Sequence, residues 1–147
     1  PNTVGQVVMD CMVAPPKPGD ASYEVYAKER KEILDSLKRR AEYLSTTLNS
    51  LEGYECSKPT AAMYLFPRVI LPQRAIDHAK ANGETPDSFY CYELLKGTGI
   101  CVVPGSGFGE REGTFHYRIT FLPPEEDIVG VMDILKKFHE GFMAQWK

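Results

Sequence analysis

The stretch Gly99 to Leu122, GICVVPGSGFGEREGTFHYRITFL, constrains the fold of this 147-residue chain more than any other. It predicts an apolar strand over Ile100 to Val103, a glycine-rich turn from Pro104 to Gly109, and a charged hairpin tip, Glu110-Arg111-Glu112-Gly113. The return strand alternates sharply. Phe115, Tyr117, Ile119 and Phe121 fall on one face, and His116, Arg118 and Thr120 on the other. An arginine in mid-strand is held on a rigid element, which suits it to grip a carboxylate through two parallel hydrogen bonds. Taken alone, an arginine on the polar face of a strand is more often a solvated charge.

The rest of the chain reads as follows. Val4 to Val13 is apolar and ends at a stiff linker, Ala14-Pro15-Pro16-Lys17-Pro18-Gly19, which stops any preceding helix. A long helix is predicted over Ser22 to Leu51, with Asp20 or Ser22 as its cap and Gly53 marking its end. Leu34, Leu37, Ala41, Leu44, Leu48 and Leu51 form its narrow apolar seam. At 1.5 Å per residue it spans about 45 Å, more than a small domain needs. Ala61 to Leu71 reads as a strand with a bulge or edge position at Pro67.

A short helical turn is predicted over Arg74 to Ala81, and a helix from Thr85-Pro86-Asp87 to Lys96, before Gly97. The last helix follows Pro123-Pro124 with three acids at its positive end, and its core face is Ile128, Val131, Met132, Leu135, Phe138 and Phe142. Helices over a small, mainly antiparallel sheet, with a long N-terminal helix, make the expected class α+β.

A formal net charge of −3 argues against nucleic acid or an acidic membrane surface as partner. No apolar run is long enough to cross a bilayer. Cys11, Cys56, Cys91 and Cys101 form no C-x-x-C pair and read as reduced thiols, Cys91 and Cys101 as small buried hydrophobes. His78, His116 and His139 show no metal-ligand spacing. The chain opens on Pro1 with no signal-peptide pattern and reads as a piece of something longer. The compartment expected is intracellular, the cytoplasm ahead of the mitochondrion.

The words Gly99 to Gly109, Arg111-Glu-Gly-Thr114 and His116-Tyr-Arg118, with Ala62-Met63-Tyr64, Phe66-Pro-Arg-Val69 and the early Pro1 to Gln6 run, carry a family likeness over nearly the whole chain. It resembles the C-terminal part of the fold type I pyridoxal-phosphate aminotransferases, most closely the alanine aminotransferases. The resemblance implies that residues 1–20 are the tail of a large cofactor-holding domain with its linker. Residues 21–147 are then the small domain, including a long interdomain helix. It implies that Arg118 binds the α-carboxylate of amino acid and 2-oxo acid substrates, and that the intact protein is a homodimer. It implies pyridoxal 5'-phosphate as cofactor, bound by residues upstream of this chain.

Within the chain, Lys96-Gly97 only echoes the family's Ser-x-Ser-Lys-Gly, because the serines are missing and Leu94 and Leu95 precede the lysine. No catalytic residue is therefore assigned, and the piece alone is expected to be inactive. The glycine-rich turn lacks the spacing of a phosphate loop and reads as a tight turn. Ala61 stands where relatives commonly place glycine. Arg68 and Arg74 read as surface charges. Two alternatives stay open: another enzyme of the same fold, such as a different 2-oxoglutarate aminotransferase or an aminocyclopropane-carboxylate synthase, or a non-catalytic module that recruits a partner through the long helix.

Overall fold

The computed structural model describes residues 2–147. They divide into two compact units, the first ending at Ser36 and the second running Leu37–Lys147. In the first unit the apolar stretch is a helix, α1 (Thr3–Val13), whose first turn is capped by the Asn2 side chain accepting from the Gly5 amide at 2.6 Å. None of its residues is buried.

The long helix, α2 (Tyr23–Asn49), begins once the Ser22 carbonyl accepts from the Tyr26 amide. Asp20, the other expected cap, instead folds the preceding turn by accepting from the Lys17 amide at 2.7 Å. The predicted seam is buried from Ala41 through Leu44 and Leu48 to Leu51, whereas Leu34 is exposed. The helix ends two residues before the predicted Leu51, and Gly53 adopts φ +81° in the turn beyond it.

The second unit is α+β. Strand β1 (Tyr54–Glu55) pairs antiparallel with β3 (Arg68–Val69). Strands β2 (Tyr64–Leu65), β5 (Tyr117–Thr120) and β4 (Val103–Pro104) form a three-stranded antiparallel sheet with β5 at its centre. The predicted strand over Ala61 to Leu71 is thus broken in two at Phe66-Pro67. Proline has no amide to donate there, and its buried ring directs the chain from one sheet to the other. An isolated bridge between Arg68 and His116 ties the two sheets together.

Helices α3 (Gln73–Ala81), α4 (Pro86–Thr98) and α5 (Glu125–Trp146) complete the unit. Helix α4 passes the predicted stop at Gly97 and ends where Gly99 takes the left-handed conformation at φ +79°. Gly97 lies inside the helix because α5 comes close: a Cβ there would sit 3.3 Å from the Phe138 ring. This longer helix shortens the predicted strand over Ile100 to Val103, since the Ile100 amide donates back to Thr98 Oγ1 at 3.0 Å and pairing starts only at Val103. On α5 the inward face includes His139 and Met143 in addition to Ile128, Met132, Leu135 and Phe142, while Val131 and Phe138 are half-buried. Among the cysteines, Cys91 is buried as expected; Cys101 is exposed, because it precedes the paired segment.

A row of hydrogen-bonded polar groups runs through this core. Tyr117 Oη donates to Tyr54 Oη at 3.0 Å, the Tyr54 and Tyr90 hydroxyls are 2.7 Å apart, and Tyr90 Oη lies 3.0 Å from His139 Nδ1. His139 Nε2 is 2.7 Å from the Glu52 carbonyl, which can only accept, so Nε2 carries the proton and Nδ1 accepts from Tyr90. The direction of every bond follows from that one carbonyl. Burial raises the tyrosine hydroxyls well above their ordinary range and keeps them protonated.

Tyr54→Phe removes a hydroxyl that both accepts and donates, and leaves Tyr117 without an acceptor. It is expected to lower unfolding free energy by about 1–3 kcal/mol in urea melts. Burial also lowers the His139 pKa from its ordinary value, so folding holds the ring neutral while the unfolded chain binds the proton more readily. Its stabilising contribution is complete above the unfolded value of about 6.5 and declines as pH falls toward the lower folded value. Thermal melts from pH 7.5 to 5 should show this loss, and His139→Phe should flatten the slope.

Candidate functional site

The pleat of β5 settles where its side chains go. Tyr117 and Ile119 are buried, while Arg118 and Thr120 reach the half-exposed face with His116 just upstream. Arg118 lies opposite Val103 of β4, and Thr120 opposite Tyr64 of β2. Tyr64 is therefore the diagonal cross-strand neighbour of Arg118, close enough for long side chains to meet. The Arg118 guanidinium carbon sits 4.7 Å from the centroid of the Tyr64 ring and 4.8 Å from that of Phe108. Among the described residues it makes no ion pair.

Its neighbours on the same face are committed elsewhere. The Thr120 hydroxyl donates to the Met63 carbonyl at 3.1 Å. His116 Nδ1 lies 3.0 Å from Glu110 Oε2, and its ring stacks on Phe66 with centroids 5.0 Å apart. Beyond Phe66 a surface cleft of about 360 Å³ is lined by Arg68 and His116 among others, but Arg68 already pairs with Glu55 at 2.9 Å. Arg74 donates to the Lys147 carbonyl at 2.9 Å. Of the arginines considered from the sequence, Arg118 combines a half-buried position with a charge that no local carboxylate neutralises.

The glycine-rich segment is a single 3₁₀ turn, Gly105–Phe108, closed by Gly109 at φ +76°. It is pinned from below. The Gly105 amide donates to the His116 carbonyl at 2.8 Å, and the Ser106 amide to Asp87 Oδ2 at 2.8 Å. Burial opposes the Asp87 charge, but donors from Ser106, Thr85 and Ser88 outweigh it and hold the carboxyl below its usual range. Glu110 goes the other way: burial pushes it up, the hydrogen bond from His116 partly offsets this, and the nearby Asp87 charge adds to the rise.

These features argue against a cofactor phosphate at the glycine-rich turn and against a Schiff base at Lys96. Two amides of the turn already have acceptors, and two carboxylates lie beneath it, so a phosphate would find repulsion in place of donors. Lys96 is exposed and bonded to Glu93 at 2.9 Å, which raises its pKa, whereas a lysine that attacks a carbonyl needs a lowered one. Neither the turn nor Lys96 fits pyridoxal phosphate. Burial first, then the charges of Asp87, Glu110 and Cys101, pushes the Cys91 thiol up to about 12, which keeps it protonated and unreactive.

Tyr64 and Phe108 were not among the candidate residues of the sequence. A signal was present for Phe108: a large ring between Gly107 and Gly109 in an exposed turn has no local core to join, and so implies a partner. Tyr64 gave none beyond its place in the strand and in the Ala62-Met63-Tyr64 word of the family likeness.

This α+β unit, with a half-buried arginine at the centre of its sheet, has the architecture of the C-terminal domain of fold type I aminotransferases. A solved alanine aminotransferase from Pyrococcus furiosus superimposes on 96% of the chain with a TM-score of 0.73 and 29% identity, the match covering 30% of that structure. A probable mitochondrial alanine aminotransferase from Dictyostelium discoideum is 51% identical over 100% of this chain and 28% of its own length. Glutamate–glyoxylate aminotransferase 2 from Arabidopsis thaliana is 50% identical over 99% of this chain and 30% of its own. No protein-family model matches. The chain belongs to the fold type I aminotransferases, in the group of the alanine aminotransferases, and it spans less than a third of the length of these relatives.

The mitochondrial name of the Dictyostelium relative overturns the expectation of cytoplasm ahead of mitochondrion. Compartment is read from a removable leader, so the composition of a folded domain does not encode it.

Gly105→Ala tests how tightly the turn is seated. A Cβ there would lie 2.5 Å from Glu110 Oε2 and 2.8 Å from the His116 carbonyl oxygen, and backbone cannot easily yield. The substitution is expected to cost about 1–3 kcal/mol in denaturant unfolding. Gly107→Ala, with open space around it, should cost much less.

Proposed function

We propose that this chain is the small-domain portion of an alanine aminotransferase, which moves the amino group of L-alanine to 2-oxoglutarate and yields pyruvate and L-glutamate. In this reading residues 1–20 are the tail of the large domain and 21–147 the small domain. The observation that carries the assignment is Arg118: mid-strand, half-buried, charged and without a carboxylate partner among the described residues. A guanidinium fork bound to a substrate's α-carboxylate by two parallel hydrogen bonds fixes the orientation of the amino acid, including the direction of its Cα–H bond. Alanine, pyruvate, glutamate and 2-oxoglutarate all carry that carboxylate, so one arginine serves both half-reactions.

Pyridoxal 5'-phosphate, held by residues outside this chain in a homodimeric full-length enzyme, would supply the electron sink. This chain's contribution is binding and orientation. A second reading, glyoxylate as the amino acceptor, is favoured by the Arabidopsis relative's name, and Arg118 would serve that 2-oxo acid equally.

In the full-length enzyme Arg118→Ala is expected to cost about 3–5 kcal/mol in kcat/KM for the amino acid. Steady-state kinetics with alanine as donor, and 2-oxoglutarate against glyoxylate as acceptor, tests both points. Kinetics unchanged by the substitution would rule the carboxylate role out, and the acceptor with the higher kcat/KM decides between the two readings.

A further inference from the structure

We infer that Tyr64 and Phe108 are positioning residues for the substrate carboxylate, holding the Arg118 guanidinium against two aromatic faces without occupying its hydrogen-bond donors. This inference rests on the proposed carboxylate role of Arg118. A strand arginine on a solvated face would ordinarily sample many rotamers, and ordering it upon binding costs affinity. Proteins often fix such a side chain with an aspartate or glutamate, but a carboxylate consumes the fork and cancels the charge. An aromatic face does neither. Its quadrupole attracts the cation, and its π surface leaves the N–H groups free for an incoming acid.

Both rings are themselves held. Tyr64 belongs to β2, and its pairing with Thr120 sets it diagonally across from Arg118. Phe108 closes the 3₁₀ turn whose amides are tied to Asp87 and to the His116 carbonyl. Phe66 supports Phe108 from behind, edge to face, with centroids 5.9 Å apart and planes at 82°. Phe66 in turn stacks on His116, which Glu110 holds. The glycine-rich turn thereby acquires a purpose other than phosphate binding: it seats a phenylalanine against the arginine. Phe108 and Tyr64 are each about half exposed, 49% and 43%, so neither is needed to fill the core.

The test uses the full-length enzyme with Phe108→Leu, Phe108→Tyr, Tyr64→Leu, Tyr64→Phe and Arg118→Ala. The readouts are KM and kcat for the amino acid, and calorimetric affinity for propionate, which carries a carboxylate but no amino group. Phe108→Leu and Tyr64→Leu keep bulk and lose the π face; each should weaken propionate binding and raise KM by about tenfold, with kcat changed less. Phe108→Tyr and Tyr64→Phe keep a ring and should restore values near wild type. The two leucine variants sit on different elements, so instability of one leaves the other informative. If leucine and aromatic variants behave alike while Arg118→Ala is crippled, the aromatic grip is wrong and the carboxylate role stands. If Arg118→Ala also binds propionate normally, the carboxylate role itself is wrong.

Discussion

The buried chain of hydroxyls from Tyr117 through Tyr54 and Tyr90 to His139, ending on the Glu52 carbonyl, fixes strand β5 to the helices behind it. Each of these groups would be expensive to bury alone, and each is satisfied by the next. The four side chains come from β1, α4, β5 and α5, so the chain joins most of the second unit at one line. Because side chains alternate along a strand, anchoring Tyr117 inward commits Arg118 to the opposite face. The orientation of the candidate ligand-binding group is thus inherited from a core interaction it never touches.

Electrostatics on the outer face follow a consistent division. Asp87 and Glu110, the carboxylates nearest the glycine-rich turn, accept from backbone amides of Ser106 and His116, and Glu110 also holds the His116 ring. Arg68 is matched by Glu55. Asp87 and Glu110 are thus occupied in holding up the loop that delivers Phe108. An anion approaching Arg118 therefore meets a cation bordered by aromatic carbon, with its donors free for a charge-assisted pair.

Much of the architecture was legible in the residues. The alternation over Phe115 to Phe121, the seam from Ala41 to Leu51 and the acid-capped last helix were all readable, because each element's periodicity records which side faces the core. Pro67 signalled a bulge or edge position through its missing amide, but the passage of the chain there from one sheet to the other was decided by the fold. What failed were boundaries and partners. Gly97 looks like a helix stop, yet Phe138 crowds it and the helix continues to Gly99. Strand β1 is two residues long and leaves no periodic trace. His139 showed no motif, and only the fold places it beside Tyr90 and Tyr54.

The residues by themselves determined the class of fold, the two-faced strand and the presence of an arginine on its polar side, since local spacing and side-chain chemistry suffice for those. Tertiary structure alone decided that Tyr64 and Phe108, 44 positions apart in the chain, converge on that arginine, and that Asp87 and Glu110 accept from the amides of Ser106 and His116. The physical reason is range. Periodicity reports how a segment meets the core, whereas a cation's neighbours depend on strand register and on a turn seated by distant hydrogen bonds.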